Sequence, residues 1–499
     1  MKEVKQLSVK TNLIFNLIIQ ILTYLLPLIT APYLSRTLLA NGIGTSSFLN
    51  SITSYFVLIV AFGFTTYGTQ KISAHKKEKS KYSKIFWEIM FSKLILFIFC
   101  YILFTLIAVI WKFGKNFELK YFFAYSVLII ATLFDTTFLF NGLENFRIIS
   151  IVRVVIKIIG TICLFIFIKT EQDLFRYILI SVFVDFLVFF ISFILSLRIV
   201  SKPVIKELHT LKCLKSAFFY FLPTIAISIY TILDKTMMGY LTTEVEIGYY
   251  EEAHKIIILV TSLINAISPI MLARISDLVA ENNVEEIKKK YIQMSKVYWL
   301  ISAPAICGLY AIGDAFIPVF YGAEFAPSIG VLYVLTPLIA VIPISNIIGS
   351  AYYIPNNRIK IQTLFFSIGG IINFSLNFIF IKKWGAIGAA TTSLISEIII
   401  SSLFVVFSLK EMDYLSMLKS GIKIIISSLA MFVCVVLFEK FFLVKYISYE
   451  LLNVIIALIF GIVIYSVLLI LIREAFVLSI LKNFFNRLRL SSKEGAKDE

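Results

Sequence analysis

Apolar runs of about twenty residues, the length a helix needs to cross the hydrocarbon of a bilayer, recur from one end of this 499-residue chain to the other. They cover about 11–31, 45–66, 85–111, 121–141, 151–168, 175–197, 216–240, 248–273, 293–313, 329–351, 361–381, 385–408, 420–438 and 451–472. A membrane barrel would show segments of about ten residues alternating polar with apolar. These runs are continuous, so each reads as a helix that satisfies its own backbone hydrogen bonds. With 59% of residues hydrophobic and 15% charged, the expected fold class is an all-α polytopic membrane protein with about 14 transmembrane helices.

An even number of crossings puts both termini on one side. Roughly three-quarters of the 46 Lys and Arg fall on the N-terminal side, which makes both termini cytoplasmic. The formal charge of +16 follows from inner segments such as HKKEKSKYSK (His75 to Lys84), Lys288 to Lys290 and the tail after Arg473. Basic inner loops account for that charge, so nucleic acid is not an expected partner. The start, MKEVKQLSVK, runs into the first apolar span without a small-residue cleavage pattern and reads as an uncleaved anchor. The five cysteines lie in spans or inner loops, and His75, His209 and His254 are isolated. No disulfide, metal site or cofactor is expected.

Against this background the stretch LDKTMMGYLTTEVEIGYYEEAHKI, Leu233 to Ile256, stands out. It places Asp234, Lys235, Glu252, His254 and Lys255 at the facing ends of two apolar runs. Ionisable groups there cost several kcal/mol unless they pair or face a wet cavity, so they mark functional sites. A pathway for a charged solute is the first reading.

The chain also repeats itself weakly after about 200 residues. SRTLL (Ser35 to Leu39) parallels DKTMM (Asp234 to Met238), Ile43-Gly44 parallels Ile247-Gly248, NFRI (Asn145 to Ile148) parallels NNRI (Asn356 to Ile359), and Ser196-Leu197-Arg198 parallels Ser408-Leu409-Lys410. About six spans per half gives the halves the same orientation. The expected organisation is an N-terminal six-helix bundle over 1–200, a C-terminal one over 201–412, two additional helices over 413–472 and a cytoplasmic basic tail over 473–499. Two such bundles around a central cavity would work by alternating access.

The chain resembles the bacterial polysaccharide flippases, exporters of O-antigen and capsule repeat units within the multidrug/oligosaccharidyl-lipid/polysaccharide exporter superfamily. The likeness runs through LSRTLLANGIGTSSFLNSITSYF (Leu34 to Phe56), FGFTTYGTQKIS (Phe62 to Ser73), FLFNGLENFRIISIVR (Phe138 to Arg153), the Leu233 to Ile256 stretch, SPIMLARIS (Ser268 to Ser276), FYGAEFAPS (Phe320 to Ser328), IPISNIIGSAYYIPNNRIK (Ile342 to Lys360) and INFSLNFIFIKKWGAIGAATTSLISE (Ile372 to Glu397). One departure is Ala273, where the family often has proline before the arginine matching Arg274. The resemblance implies transfer of an undecaprenyl-pyrophosphate-linked oligosaccharide from the inner to the outer leaflet of a bacterial plasma membrane. The partners it implies are that lipid-linked oligosaccharide, membrane lipids, H⁺ or Na⁺ as coupling ion, and other membrane proteins of polysaccharide assembly.

A pyrophosphate cannot cross hydrocarbon uncompensated, so basic residues on the spans are the substrate-binding candidates. They are Arg36 and Lys235 at matching ends of spans one and seven, Lys255 on span eight, Lys93 inside span three, and the repeat-related Arg147 and Arg358. Snorkelling to headgroups is the competing explanation for Arg36 and Lys235, and ordinary enrichment at inner helix ends for Arg147 and Arg358. The ion-coupling candidates are the mid-membrane Asp185 and Glu397, each thirteen residues before a basic residue (Arg198, Lys410), together with Asp135 and Asp234. A carboxylate in a low-dielectric setting can bind a proton or Na⁺ and switch conformations, or it can simply neutralise a neighbouring lysine or arginine.

Two alternatives share the transport class, export of cationic drugs or of lipid II; the basic candidates argue against the first. A membrane-embedded polysaccharide polymerase is the alternative from another class. It would call for a large catalytic loop, whereas the longest loops here are about 18 residues, and no nucleophile-base pair or phosphate-cradling glycine loop is present. The expectation is a transporter and not an enzyme.

Overall fold

The computed structural model describes residues 9–111, 118–266, 268–281, 283–356, 358–443, 449–474 and 476–479. Among these there is no strand. The helices are α1 (Val9–Ala61), α2 (Phe64–Ala74), α3 (Lys79–Trp111), α4 (Leu119–Leu133), α5 (Thr137–Gly142), α6 (Phe146–Phe167), α7 (Leu174–Leu197), α8 (Thr210–Leu241), α9 (Glu244–Asn265), α10 (Ser268–Ala280), α11 (Val284–Tyr321), α12 (Ser328–Leu335), α13 (Leu338–Ile348), α14 (Ile359–Val406), α15 (Tyr414–Phe438) and α16 (Glu450–Leu471).

Ten helical stretches among the described residues are long and apolar enough to cross a membrane. Two of them hold room for two crossings. As a straight helix the 53 residues of α1 would reach roughly 80 Å, against the roughly 30 Å of a bilayer core. Leu39, at φ 58° and ψ 176°, breaks α1. Gly385, at φ 54° and ψ −127°, breaks the 48-residue α14. There the chain reverses: a Cβ on Gly388 would fall 2.0 Å from the carbonyl oxygen of Phe380, although eight residues of straight helix span about 12 Å.

The apolar side chains point outward as lipid requires. Ile95, Phe99, Ile102, Leu106 and Ile110 form an exposed stripe at helical spacing along α3, and Ile455, Ile459, Ile462 and Val463 do so on α16. Small residues let helices approach inside, as where Gly160 of α6 meets Val184 of α7 and Gly421 of α15 meets Trp299 of α11. The expected all-α polytopic architecture is the observed one.

The helices pack as two compact units, Met1–Glu252 with Phe366–Ser393, and Ala253–Phe365 with Leu394–Glu499. In the first, α1 packs against α3, α4, α6 and α8, and α7 against α4 and α6. Phe64, Phe86, Ile89, Phe138 and Phe140 form a core where α2, α3 and α5 meet. In the second, α11, α15 and α16 pack on one another through residues including Ile312, Met431, Val435 and Ala457. Of the basic tail expected over 473–499, only 473, 474 and 476–479 lie within the described residues.

A close crossing in the first unit involves residues that the expected repeat pairs. A Cβ on Gly44 would lie 1.6 Å from the carbonyl oxygen of Glu244, and one on Gly248 would lie 2.2 Å from that of Ala40. The same sequence offset carries 40 to 244 and 44 to 248, so the two contacts are reciprocal. Ser47 and Glu251, related by that offset, touch each other at 2.8 Å. Reciprocal contacts beside a self-contact are what a two-fold relation produces.

Candidate functional site: buried charges on the spanning helices

Asp234 lies near the C-terminal end of α8 and is 4% exposed. Facing it is the hairpin formed by the Phe366–Ser393 part of α14. Asn373 and Asn377, four residues apart, share one helix face. The reversal at Gly385 returns Thr392 and Ser393 opposite them. A carboxylate oxygen of Glu246 accepts from the Ala386 N–H at 2.7 Å, which satisfies a free donor where the helix restarts.

The carboxylate of Asp234 accepts from Asn377 Nδ2 at 2.8 Å, from the Tyr250 hydroxyl at 2.9 Å and from the Ser393 hydroxyl. Behind it, Asn377 Nδ2 reaches Asn373 Oδ1 at 3.1 Å, and the Thr392 hydroxyl donates to Asn377 Oδ1. Tyr250, Asn373, Asn377, Thr392 and Ser393 are all buried. Among the described residues no lysine or arginine pairs with Asp234. A buried carboxylate held by neutral donors, with hydroxyl and amide oxygens close by, has the chemistry to take up a proton or a hard cation.

The next residue points elsewhere. Lys235 Nζ pairs with Glu251 of α9 at 2.5 Å, and Glu251 also accepts from Ser47 of α1 at 2.8 Å. One turn is tied together by this triad, and Thr236 adds bonds to Ser51 at 3.0 Å and Tyr55 at 3.2 Å. Arg36 is exposed on α1, and Lys255 is half-buried on α9.

Lys93 and Asp135, expected separately, come together. Lys93 is fully buried and its ammonium lies 3.8 Å from the Asp135 carboxylate. It also donates to the carbonyls of Asp135 at 2.6 Å and Thr132 at 3.3 Å, with the Phe138 ring 5.6 Å away. The Thr132 carbonyl also accepts from the Asp135 N–H at 3.2 Å, and at the break between α4 and α5 the lysine adds a donor to these carbonyls, capping a helix C-terminus. Asp135 in turn accepts from the N–H and hydroxyl of Thr137 at the start of α5, at 2.9 and 2.5 Å.

Asp185 on α7 interacts electrostatically with Lys157 and Arg153 of the neighbouring α6. Lys157 also lines a cleft of about 190 Å³ with Pro27, Thr30, Thr161, Tyr177 and Ser181. Arg147, at the start of α6, is exposed.

In the second unit Glu397 is 2% exposed and accepts from Ser345 of α13 at 2.7 Å. Ser401, a turn on, donates to the Val341 carbonyl at 2.9 Å and ties the same two helices. Arg358 donates to the Tyr352 hydroxyl, stacks 5.3 Å from its ring and pairs with Glu411 at 3.4 Å. An apolar cleft of about 270 Å³ opens nearby in this unit among Tyr298, Trp299, Ile344, Ile348, Met417 and Leu418.

Sequence reading missed Glu251 as the partner of Lys235, and Asn373, Asn377, Thr392 and Ser393 around Asp234. A signal existed for the amides: INFSLNF places two asparagines four residues apart in an otherwise apolar run, where each needs a polar partner.

Spanning helices that wrap buried carboxylates and lysines define a multi-pass membrane protein, and solved structures give its fold. The chain is similar to the lipid II flippase MurJ in an inward closed conformation, at TM-score 0.73 and 20% identity, covering 93% of this chain and 99% of that one. It is also similar to an outward-facing multidrug resistance MATE transporter of the MOP superfamily, at TM-score 0.57 and 13% identity over 80% and 95%.

The chain belongs to the polysaccharide biosynthesis protein family, whose profile matches residues 9–273. A proposed O-antigen transporter of Escherichia coli (strain K12) is 26% identical to it over 412 residues, 81% of this chain and 97% of that protein. This agrees with the resemblance carried by the sequence motifs.

Proposed function

We propose that this protein is a flippase, not an enzyme, that moves an undecaprenyl-pyrophosphate-linked oligosaccharide repeat unit from the cytoplasmic to the outer leaflet of a bacterial plasma membrane. Transfer proceeds by alternating access, with the repeat-related segments 1–200 and 201–412 as the moving halves, and is coupled to a cation. Membership of the polysaccharide biosynthesis family and likeness to an O-antigen transporter support the substrate class. The MurJ-like fold supports the mode of transfer.

The observation that carries the coupling is the setting of Asp234. Its carboxylate is buried among Tyr250, Asn377 and Ser393, and the adjacent backbone holds Lys235. Na⁺ or a proton on Asp234 changes which donors it holds and thereby repositions the turn of α8 that presents Lys235. Lys235 then exchanges Glu251 for the pyrophosphate, a charge-assisted contact of the same kind. Arg36 and Lys255 add positive charge along the route. Arg147 and Arg358 meet the incoming headgroup, whereas Lys93 and Asp135 hold the α4–α5 break. Asp185 and Glu397 are secondary coupling sites.

The test is reconstitution in liposomes with labelled lipid-linked oligosaccharide, with and without imposed Na⁺ or proton gradients. Gradient-dependent appearance of the label in the far leaflet is the expected result. Translocation indifferent to both gradients would remove the coupling. Sugar transfer without translocation would favour a polymerase, and preferential export of lipid II or of cationic drugs would move the substrate within the superfamily.

A further inference from the structure

The segment that joins α7 to α8 is strapped along the first turns of α3. Ser83 accepts from the Ser201 N–H at 2.9 Å, and Trp87 Nε1 donates to the Ser201 carbonyl at 2.8 Å. Glu88 accepts from the His209 N–H at 3.1 Å, and Ser92 donates to the Thr210 carbonyl at 3.3 Å. Between strap and helix lies a cleft of about 270 Å³ whose lining includes Lys81, Lys84, Lys202, Trp87 and Glu207. Three lysines face one glutamate. Lys81 is committed to Glu78 at 2.8 Å, while among the described residues neither Lys84 nor Lys202 has a carboxylate partner.

The strap also carries apolar side chains that the protein does not cover. Val204, Ile205 and Leu211 are 58%, 72% and 78% exposed, and they alternate with Lys202, Lys206 and Lys212. Lysines interleaved with exposed aliphatics suit a segment lying in the plane of the headgroups, and an indole beside the start of a spanning helix suits the same depth. Unbalanced positive charge in a cleft at that level is complementary to a lipid phosphate.

We propose that this cleft binds the phosphate of an anionic phospholipid headgroup, held by Lys84 and Lys202 beside Trp87, with Val204, Ile205 and Leu211 resting against the acyl chains. This goes beyond the flippase reading: the ligand is a resident membrane lipid, bound on different helices from the Lys235 assigned to the substrate.

The full chain in detergent micelles is titrated with short-chain phosphatidylglycerol, phosphatidylcholine of the same chains, or inorganic phosphate. The readout is the part of the tryptophan fluorescence that Trp87→Phe removes. A saturable response to phosphatidylglycerol is expected, and Lys84→Gln and Lys202→Gln each weaken it about fivefold with an unchanged melting temperature. Co-purified phosphatidylglycerol, counted by native mass spectrometry, falls in the double variant. Equal responses to phosphatidylglycerol and phosphatidylcholine, or wild-type affinity in both lysine variants, overturn the proposal. Inorganic phosphate acting at the same concentration as phosphatidylglycerol overturns it as a lipid site.

Discussion

Asp135 and Asp234 are both withdrawn from bulk solvent in the first packing unit, yet they are satisfied in opposite ways. Asp135 faces the buried ammonium of Lys93 and the cap of α5, so its charge is matched and its oxygens are spoken for. Asp234 faces hydroxyls and an amide. A matched pair holds geometry, because separating it strands two charges in a poor solvent. An acid among neutral groups leaves its charge to be compensated by an exchangeable ion. The same side chain type is thus a staple in one place and, in the function proposed above, a binding group in the other.

The largest effect expected from this contrast is on stability. Lys93→Met strands the Asp135 carboxylate and removes the donor to the Asp135 carbonyl, and lowers stability by about 3–5 kcal/mol. Asp234→Asn keeps the shape and costs about 1 kcal/mol or less. Denaturation of the two variants in detergent checks the difference, and equal losses would break the comparison.

Next comes coupling. In liposomes Asp234→Asn removes the response to an imposed Na⁺ or proton gradient and slows transfer about tenfold or more, whereas Asp135→Asn retains gradient dependence in whatever fraction folds. Gradient dependence that survives Asp234→Asn would instead point to Asp185 or Glu397.

Lys235→Gln sharpens the division between neighbours. It raises the substrate concentration for half-maximal transfer about tenfold while leaving the response to the gradient in place. Glu251→Gln, which frees the lysine, has a smaller effect in the same assay.

Gly385→Ala tests the hairpin that brings Thr392 and Ser393 to Asp234. Its φ of 54° and the Glu246 carboxylate 2.4 Å from where the new Cβ would sit make the substitution cost about 1–2 kcal/mol, read as a lower melting temperature. The smallest effect belongs to Arg358→Gln. Its pair with Glu411 is two-fifths exposed on each side and contributes about 1 kcal/mol or less.

Much of the architecture was legible because a bilayer leaves few options: long apolar runs must become helices, and charges inside them must be compensated. Asp234, Lys235, Lys93 and Asp135 were therefore visible as costly residues. Their partners were not. Lys93 and Asp135 meet because α3 packs on α4, and nothing within either helix encodes that contact. Of two adjacent glutamates the sequence reading singled out Glu252, whereas the convergence of α8, α9 and α1 sets Glu251 against Lys235 and Ser47. The asparagines of INFSLNF carried a signal, yet their direction depends on the reversal at Gly385.

By itself, then, the sequence determined that this chain spans a membrane many times as helices, and that a few ionisable residues on those helices must be compensated. Only the tertiary structure decided how. Hydrophobic length is a local property, read along a single helix. Compensation of a buried charge depends on groups a few ångströms away that belong to other helices, and packing alone chose a lysine for Asp135 and neutral oxygens and an amide for Asp234.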